Sequence, residues 1–510
     1  MLGKIIMIFK FSLFNITALC ALAVLTSCGG SGSTAPVTPP VTSGPANVIF
    51  TRGPGDFGCG YLTVPGISDI YLVKENGGSL VPLANSTDSE YFMGVTPGGR
   101  VIYHRGRFGC GNLEIYSVNA DGTGTVLLSG AGKEAFYFGI TPSGRVIYKE
   151  GFLADDVTGL YSVNADGTGR VTLDPMTNNS FTHRFQGITP GGRVIWLDQS
   201  GTNILYSKNA DGTGTTVTLA SPTEFNGITP GGMVIYSALG NLYSINADGT
   251  GTTVTLASSA QFQSITSGGL VIYSTLGNLY SVNADGTGTV TLATTTDSVL
   301  FVGTAPGGRV IYQQIIGSYP NQTADLYSVN ANGTGKVPLA NSADIEAFAG
   351  ITPGGQVIYW RNTLISAQYQ YDLYSVNADG TGNVLLASST DTLSPYPMNL
   401  TYYLPPVAIT PGNRVVYQQL VGGTQYDLYS VNADGTGTTV LANSTDSETI
   451  RTSNSNNAGA VNSITPSGRV IYERKIGVTQ QADIYSVNAD GIGTTVLANS
   501  TDSEEFNLSF

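Results

Sequence analysis

An all-β fold of stacked, near-identical units is what this sequence predicts, and three observations predict it. The phrase Leu-Tyr-Ser-Val-Asn-Ala-Asp-Gly-Thr-Gly, in its commonest form, comes back ten times along the 510 residues. Nine times it is preceded by a near-copy of Ile-Thr-Pro-Gly-Gly-Arg-Val-Ile-Tyr. Both phrases set β-branched and aromatic residues beside turn residues at fixed offsets, which is how strands joined by tight turns read. A unit of a few tens of residues cannot bury a core alone, so repetition at this period requires each unit to pack on its neighbours.

The elements follow in order from Phe225 to Ala257, one of the shortest units. Phe225-Asn226-Gly227-Ile228 alternates as a short first strand, and Thr229-Pro230-Gly231-Gly232 turns the chain. Pro second and Gly third is the type II pattern, with Gly231 expected to take the positive φ. Val234-Ile235-Tyr236 is the returning strand and Leu242-Tyr243-Ser244-Ile245 the third. Asn246-Ala247-Asp248-Gly249 is expected as a bulged hairpin with Gly in the left-handed position, before a fourth strand, Thr253-Val254-Thr255-Leu256. One unit is therefore a four-stranded antiparallel meander.

Asp121, Asp166, Asp211, Asp248, Asp285, Asn332, Asp379, Asp434 and Asp490 mark the same turn in nine units, and Asn76 marks a degraded tenth. Their intervals run 45, 45, 45, 37, 37, 47, 47, 55 and 56 residues. The turns keep their wording while the length changes, so the insertions fall between second and third strands and, around Pro395 to Pro406, between units.

On these residues the chain resembles the TolB-type β-propeller repeat, a relative of WD-repeat propellers, from Val48 to Phe510. It departs in carrying Thr-Pro-Gly-Gly or Thr-Pro-Ser-Gly where that family usually has Ser-Pro-Asp-Gly. The resemblance implies about ten four-stranded blades, with two smaller propellers as the alternative, since four to eight blades is usual. The repeat region opens on Val48-Ile49-Phe50, a second strand without its first, and ends on Glu505 to Phe510, a first strand without its second. Pairing the two would complete one blade and hide both sheet edges.

Residues 1–27 look like a lipoprotein signal peptide. Lys4 and Lys10 precede an apolar run from Phe11 to Val24, and Leu25-Thr26-Ser27-Cys28 resembles a bacterial lipobox, which implies that Cys28 is acylated and becomes the N-terminus. Residues 28–47 then read as the lipidated Cys28 and a flexible Gly/Ser/Thr/Pro tether. Gly29 rather than Asp follows Cys28, so the expected address is the cell envelope, as an outer-membrane lipoprotein facing periplasm or cell surface. In such a compartment Cys59 and Cys110, in the twin phrases Phe-Gly-Cys-Gly of successive repeats, are a disulfide candidate, with two buried free thiols as the alternative.

A net charge of −13, with 22 Lys and Arg against 35 Asp and Glu, excludes a basic nucleic-acid surface. The expected partners are the membrane, through the N-terminal lipid, and an envelope protein or glycan. The variable loops share one face and carry Tyr319, Trp360, Arg361, Tyr369, Tyr371, Tyr396 and Tyr426, residue types suited to flat polar ligands or protein hot spots. Packing of these loops on one another is the other reading of the same residues. Asp88, Asp297, Asp344, Asp391, Asp446 and Asp502 recur on that rim, where Ca²⁺ binding competes with plain solvated turns. Arg100, Arg145, Arg193, Arg309, Arg414 and Arg469 recur beside the Pro-Gly turn and are expected to pair with the turn aspartates.

Catalytic motifs are missing. His104 and His183 stand near no nucleophile pattern, and Gly333-Thr334-Gly335-Lys336 lacks the spacing of a phosphate loop. The expectation is a scaffold that is not an enzyme, needs no cofactor and holds no catalytic metal. A protein-interaction module comes first, a polysaccharide-binding module second, and a propeller lyase or glycosidase last.

Overall fold

The computed structural model describes residues 47–507 apart from 53–67, 75, 107–112, 152–158, 176–182, 295–297, 318–322, 366–367, 395–405, 422–424, 451–462, 466, 477–480 and 499–503. Cys28, Cys59, Cys110, Tyr319 and Tyr396 lie outside the described residues.

Within the described residues forty strands fall into ten units of the predicted meander. We number the units in chain order. Unit 1 joins Asn47–Arg52, Asp69–Lys74 and Val81–Ala84 to the last strand of the chain, Glu504–Asn507. That strand pairs antiparallel with Asn47–Arg52, in the register Ile49↔Asn507 to Arg52↔Glu504. Unit 5 is the plainest, with strands Glu224–Ile228, Met233–Ala238, Asn241–Asn246 and Val254–Ala257. Units 7 and 8 share a larger sheet, because the third strand of unit 7 (Thr323–Asn330) makes a parallel bridge, Ala324↔Ile345, to the first strand of unit 8 (Ile345–Ile351).

The Val-Ile-Tyr triplet of each second strand explains the packing. Successive side chains point to opposite sheet faces, and here both faces are covered, so no polar alternation is needed. In unit 2 Val101 and Tyr103 pack on Ile49, Ile70 and Leu83 of unit 1, while Ile102 packs on Val146 and Tyr148 of unit 3. Further clusters of this kind join each unit to its successor, and one joins Ile471, Ile484 and Leu497 of unit 10 to Val48, Phe50 and Val73 of unit 1.

Polar repeats fasten the same seams. Ser117 Oγ donates to the Ala165 carbonyl of the following unit at 2.5 Å, Ser281 Oγ does so to Ala331 at 2.6 Å, and Ser244 bonds Ala284 likewise. Thus the serine of Tyr-Ser-Val reaches the alanine of the next Asn-Ala-Asp-Gly. The glycine of that turn is required twice over. Gly249 has φ of +73°, and a Cβ placed on it would stand 2.4 Å from Val217 Cγ1 in the preceding unit.

One local expectation is corrected and a second is refined. In Thr96-Pro97-Gly98-Gly99 it is the fourth residue, Gly99, that has positive φ, with its N–H donating to Thr96 O at 2.8 Å. This is a type I turn closed by a left-handed residue, so Ser143 is tolerated third and Asn413, at φ +62°, fourth. Unit 7 alone among the described turns of this kind has positive φ at both Gly307 and Gly308. The arginines meet the turn aspartates by charge rather than by direct hydrogen bond: Arg100, Arg145, Arg193, Arg309 and Arg414 attract Asp166, Asp211, Asp248, Asp379 and Asp490 of the following unit. Arg100 donates to Asn119 Oδ1 at 2.6 Å, Ser117 Oγ and Gly124 O, while Asp121 Oδ1 accepts from Thr123 N at 2.9 Å and from Thr123 Oγ1. A guanidinium with five donors finds more fixed acceptors in its own hairpin than in a solvated carboxylate.

Candidate functional site

The face carrying the second-to-third-strand connections is where the units differ. In units 2 to 6 the second strands are six residues long. In unit 8 the second and third strands, Gln356–Ile365 and Gln368–Asn377, have ten each and the fourth, Val384–Ser394, eleven. Their pairing continues to Ile365↔Gln368 and Tyr369↔Ser394, so a three-stranded wing stands above the neighbouring sheets. Behind it Gln370 Nε2 donates to Asp372 Oδ1 and to Ser388 Oγ, both at 2.9 Å, and Ser388 Oγ donates to Asp372 at 2.6 Å.

The structure separates the predicted ligand residues. Trp360 and Tyr371 are buried, at 3% and 8% exposure, in the cluster between units 8 and 9, packed with Tyr417 and Val431. Packing of the loops, the second sequence reading, holds for these two. Arg361 lies over the ring of Tyr374, 4.4 Å from its centroid, and stands 3.7 Å from Asp372. Tyr369 closes the wing in register with Leu364. Tyr426, 40% exposed, is the one residue of the set that presents a ring to solvent among those whose side chains are described.

Beneath this surface lies a tier of acids that the sequence reading missed. Glu90, Glu346 and Glu448 begin or nearly begin their first strands and are fully buried. Each receives the N–H of a serine four residues earlier, at 3.1, 3.2 and 3.1 Å from Ser86, Ser342 and Ser444. The rim aspartates instead shape the loop: the N–H groups of Asp88, Asp344 and Asp446 donate to those serine hydroxyls at 3.1 Å. The recurring Ser-x-x-x-Glu spacing was the available signal. Arg474 Nε stands 3.3 Å from Glu448, while burial pushes Glu346 up to about 7, with Asp325 and Asp344 adding to the rise. Among the described residues no three His, Cys, Asp or Glu are grouped to hold a metal ion.

Both histidines sit in seams. His104 is buried, accepts from Tyr137 N at 3.2 Å and is lowered to about 4 by desolvation, so it is neutral. His183 lies between Asp174 of unit 3, 2.6 Å from Nδ1, and Asp198 of its own unit, 3.1 Å from Nε2. The bond to Asp174 raises its pKa against an opposing burial cost.

Meanders that each lean on the next, with the first strands of neighbouring units against one another, decide the architecture. The fold is a β-propeller. No family model and no curated protein matches the sequence. Solved structures resemble it: the tricorn protease (12% identity over 90% of this chain and 53% of that one, TM-score 0.33), dipeptidyl peptidase 4 of Porphyromonas gingivalis (11%, 69% and 61%, 0.42) and a TolB of Agrobacterium tumefaciens (14%, 50% and 86%, 0.26). The chain spans about half the length of the tricorn protease and of a prolyl endopeptidase that it also resembles. Identities this low speak to fold alone. The expectation that the chain is not an enzyme is corrected: four peptidases and an oligogalacturonate lyase are among the solved structures that share the fold, so the fold gives no ground for that exclusion. That expectation rested on missing sequence motifs, which cannot detect a site assembled from several blades.

Proposed function

We propose that the chain is a lipid-anchored propeller of the cell envelope that binds a partner protein on its loop face, over units 7 to 10. The raised wing of unit 8 carries this reading. Extending three strands beyond the six- to eight-residue second and third strands of the other units orders more residues without adding to the common core, a cost that scaffold stability does not explain. Burial of Trp360 and Tyr371 removes a described aromatic platform and favours a protein over a glycan. The excess of acids favours a basic partner surface, with binding that weakens as salt rises.

The test replaces the tip from Ile365 to Gln368 by the two-residue Leu-Gly connection of unit 5 and compares capture by the full-length protein from envelope extracts. Loss of one specific partner, with unchanged melting, supports the reading; an unchanged set of partners refutes it. Palmitate labelling that disappears in Cys28→Ala tests the anchor separately.

A further inference from the structure

The seam between units 7 and 8 contains two carboxyl groups placed side by side by backbone pairing. Ala324 and Ile345 are partners in the parallel bridge, so the next residues on the two strands, Asp325 and Glu346, are neighbours. Glu346 is 1% exposed and Asp325 6%. Glu346 Oε1 accepts from Ser342 N at 3.2 Å and from Ser342 Oγ, and Asp325 Oδ2 accepts from the Tyr327 hydroxyl at 3.3 Å. Glu346 Oε2 and Asp325 Oδ1 are buried with no hydrogen-bond donor. Buried carboxyl oxygens without donors on two neighbouring residues are costly as two anions, and a proton held by one of them removes that charge.

We propose that Asp325 and Glu346 form a proton-binding site that holds the two units together and releases its proton as pH rises. The surrounding groups agree. From unit 7 the pair is faced by Tyr327, over whose ring Lys336 lies 4.9 Å from the centroid; from the preceding loop by Asp344; from the second strand of unit 8 by Tyr359 and by Arg361, the register partner of Glu346. Arg361 is engaged by Asp372 and Tyr374. In unit 10 Arg474 Nε stands 3.3 Å from Glu448, whereas Arg361, in the same register position beside Glu346, makes its ion contact with Asp372. The seam between units 1 and 2 repeats the arrangement, with Glu90 N donating to Ser68 O at 2.6 Å and so bringing Glu90 to Asp69.

Burial raises both Glu346 and Asp325, and the charge of Asp325 adds to the rise of Glu346. A carboxyl raised on folding stabilises below its unfolded value of 4.5 and loses that contribution as pH rises through about 7. The experiment follows unfolding of the full chain in urea from pH 5 to pH 8, comparing wild type with Glu346→Gln, which imitates the protonated acid, and with Asp344→Asn as a solvent-side control. The wild-type folding constant is expected to fall about 10- to 100-fold more than that of Glu346→Gln over this range, with Asp344→Asn, which removes only the smallest contribution to the rise, keeping most of that fall. Infrared difference spectra near neutral pH should show a protonated carboxyl band that Glu346→Gln lacks. Parallel pH profiles of wild type and Glu346→Gln, or absence of that band, would overturn the proposal. If Glu346→Gln does not fold, Asp325→Asn is read in its place, with the same two outcomes.

Discussion

At the scale of single residues, the repeat is conserved within itself wherever a side chain has to meet the neighbouring unit. Gly249 answers to a left-handed φ and to Val217 at once, so Gly249→Ala meets both strain and overlap. A cost of about 2–4 kcal/mol is expected from these two effects, read as a lower urea midpoint with unchanged slope. His183 shows how one unit acquires its own chemistry. Its pKa is raised by Asp174, so the clasp from unit 3 to unit 4 is fully present below the unfolded histidine value of 6.5 and is lost as pH rises through the higher folded one. His183→Asn should therefore flatten stability against pH above 6.5, and an unchanged profile would deny the clasp any role.

Among elements, the hairpins between second and third strands carry the variation. In units 5 and 6 they shrink to two-residue tips, Leu239-Gly240 and Leu276-Gly277, with all four residues at positive φ. The leucines are 89% and 93% exposed. A type I′ tip prefers Asn in the first place, because leucine there is strained and gains no burial. Leu239→Asn and Leu276→Asn are each expected to raise stability by up to about 1 kcal/mol, seen as a higher melting temperature. Unit 8 does the opposite, spending many residues on a wing, and this contrast is why the binding reading is attached to it.

For the whole molecule, the arrangement of seams matters more than any one of them. The last strand pairs with Asn47–Arg52, and the core of unit 10 meets that of unit 1. Deleting residues 504–510 uncovers an unpaired edge, and the expected outcome is a lower melting temperature with concentration-dependent aggregation. Particle images are expected to show ten blades about a single axis; two smaller rings would contradict the order of seams described above.

The sequence by itself determined the unit, its four strands and its turns, because φ preferences, strand alternation and turn hydrogen bonds act over a few residues and recur from unit to unit. It misplaced the positive φ of the Pro-Gly turn by one residue, although Ser143 and Asn413 already carried that signal. Only the tertiary structure decided that Trp360 and Tyr371 are core, that Arg145 and Arg193 bond both their own hairpins and the alanine carbonyl of the next unit, and that the strands of Asp325 and Glu346 meet at Ala324 and Ile345. These depend on which side chains of neighbouring units face each other across a seam, and contacts between units separated by insertions of unequal length leave no fixed spacing in the chain.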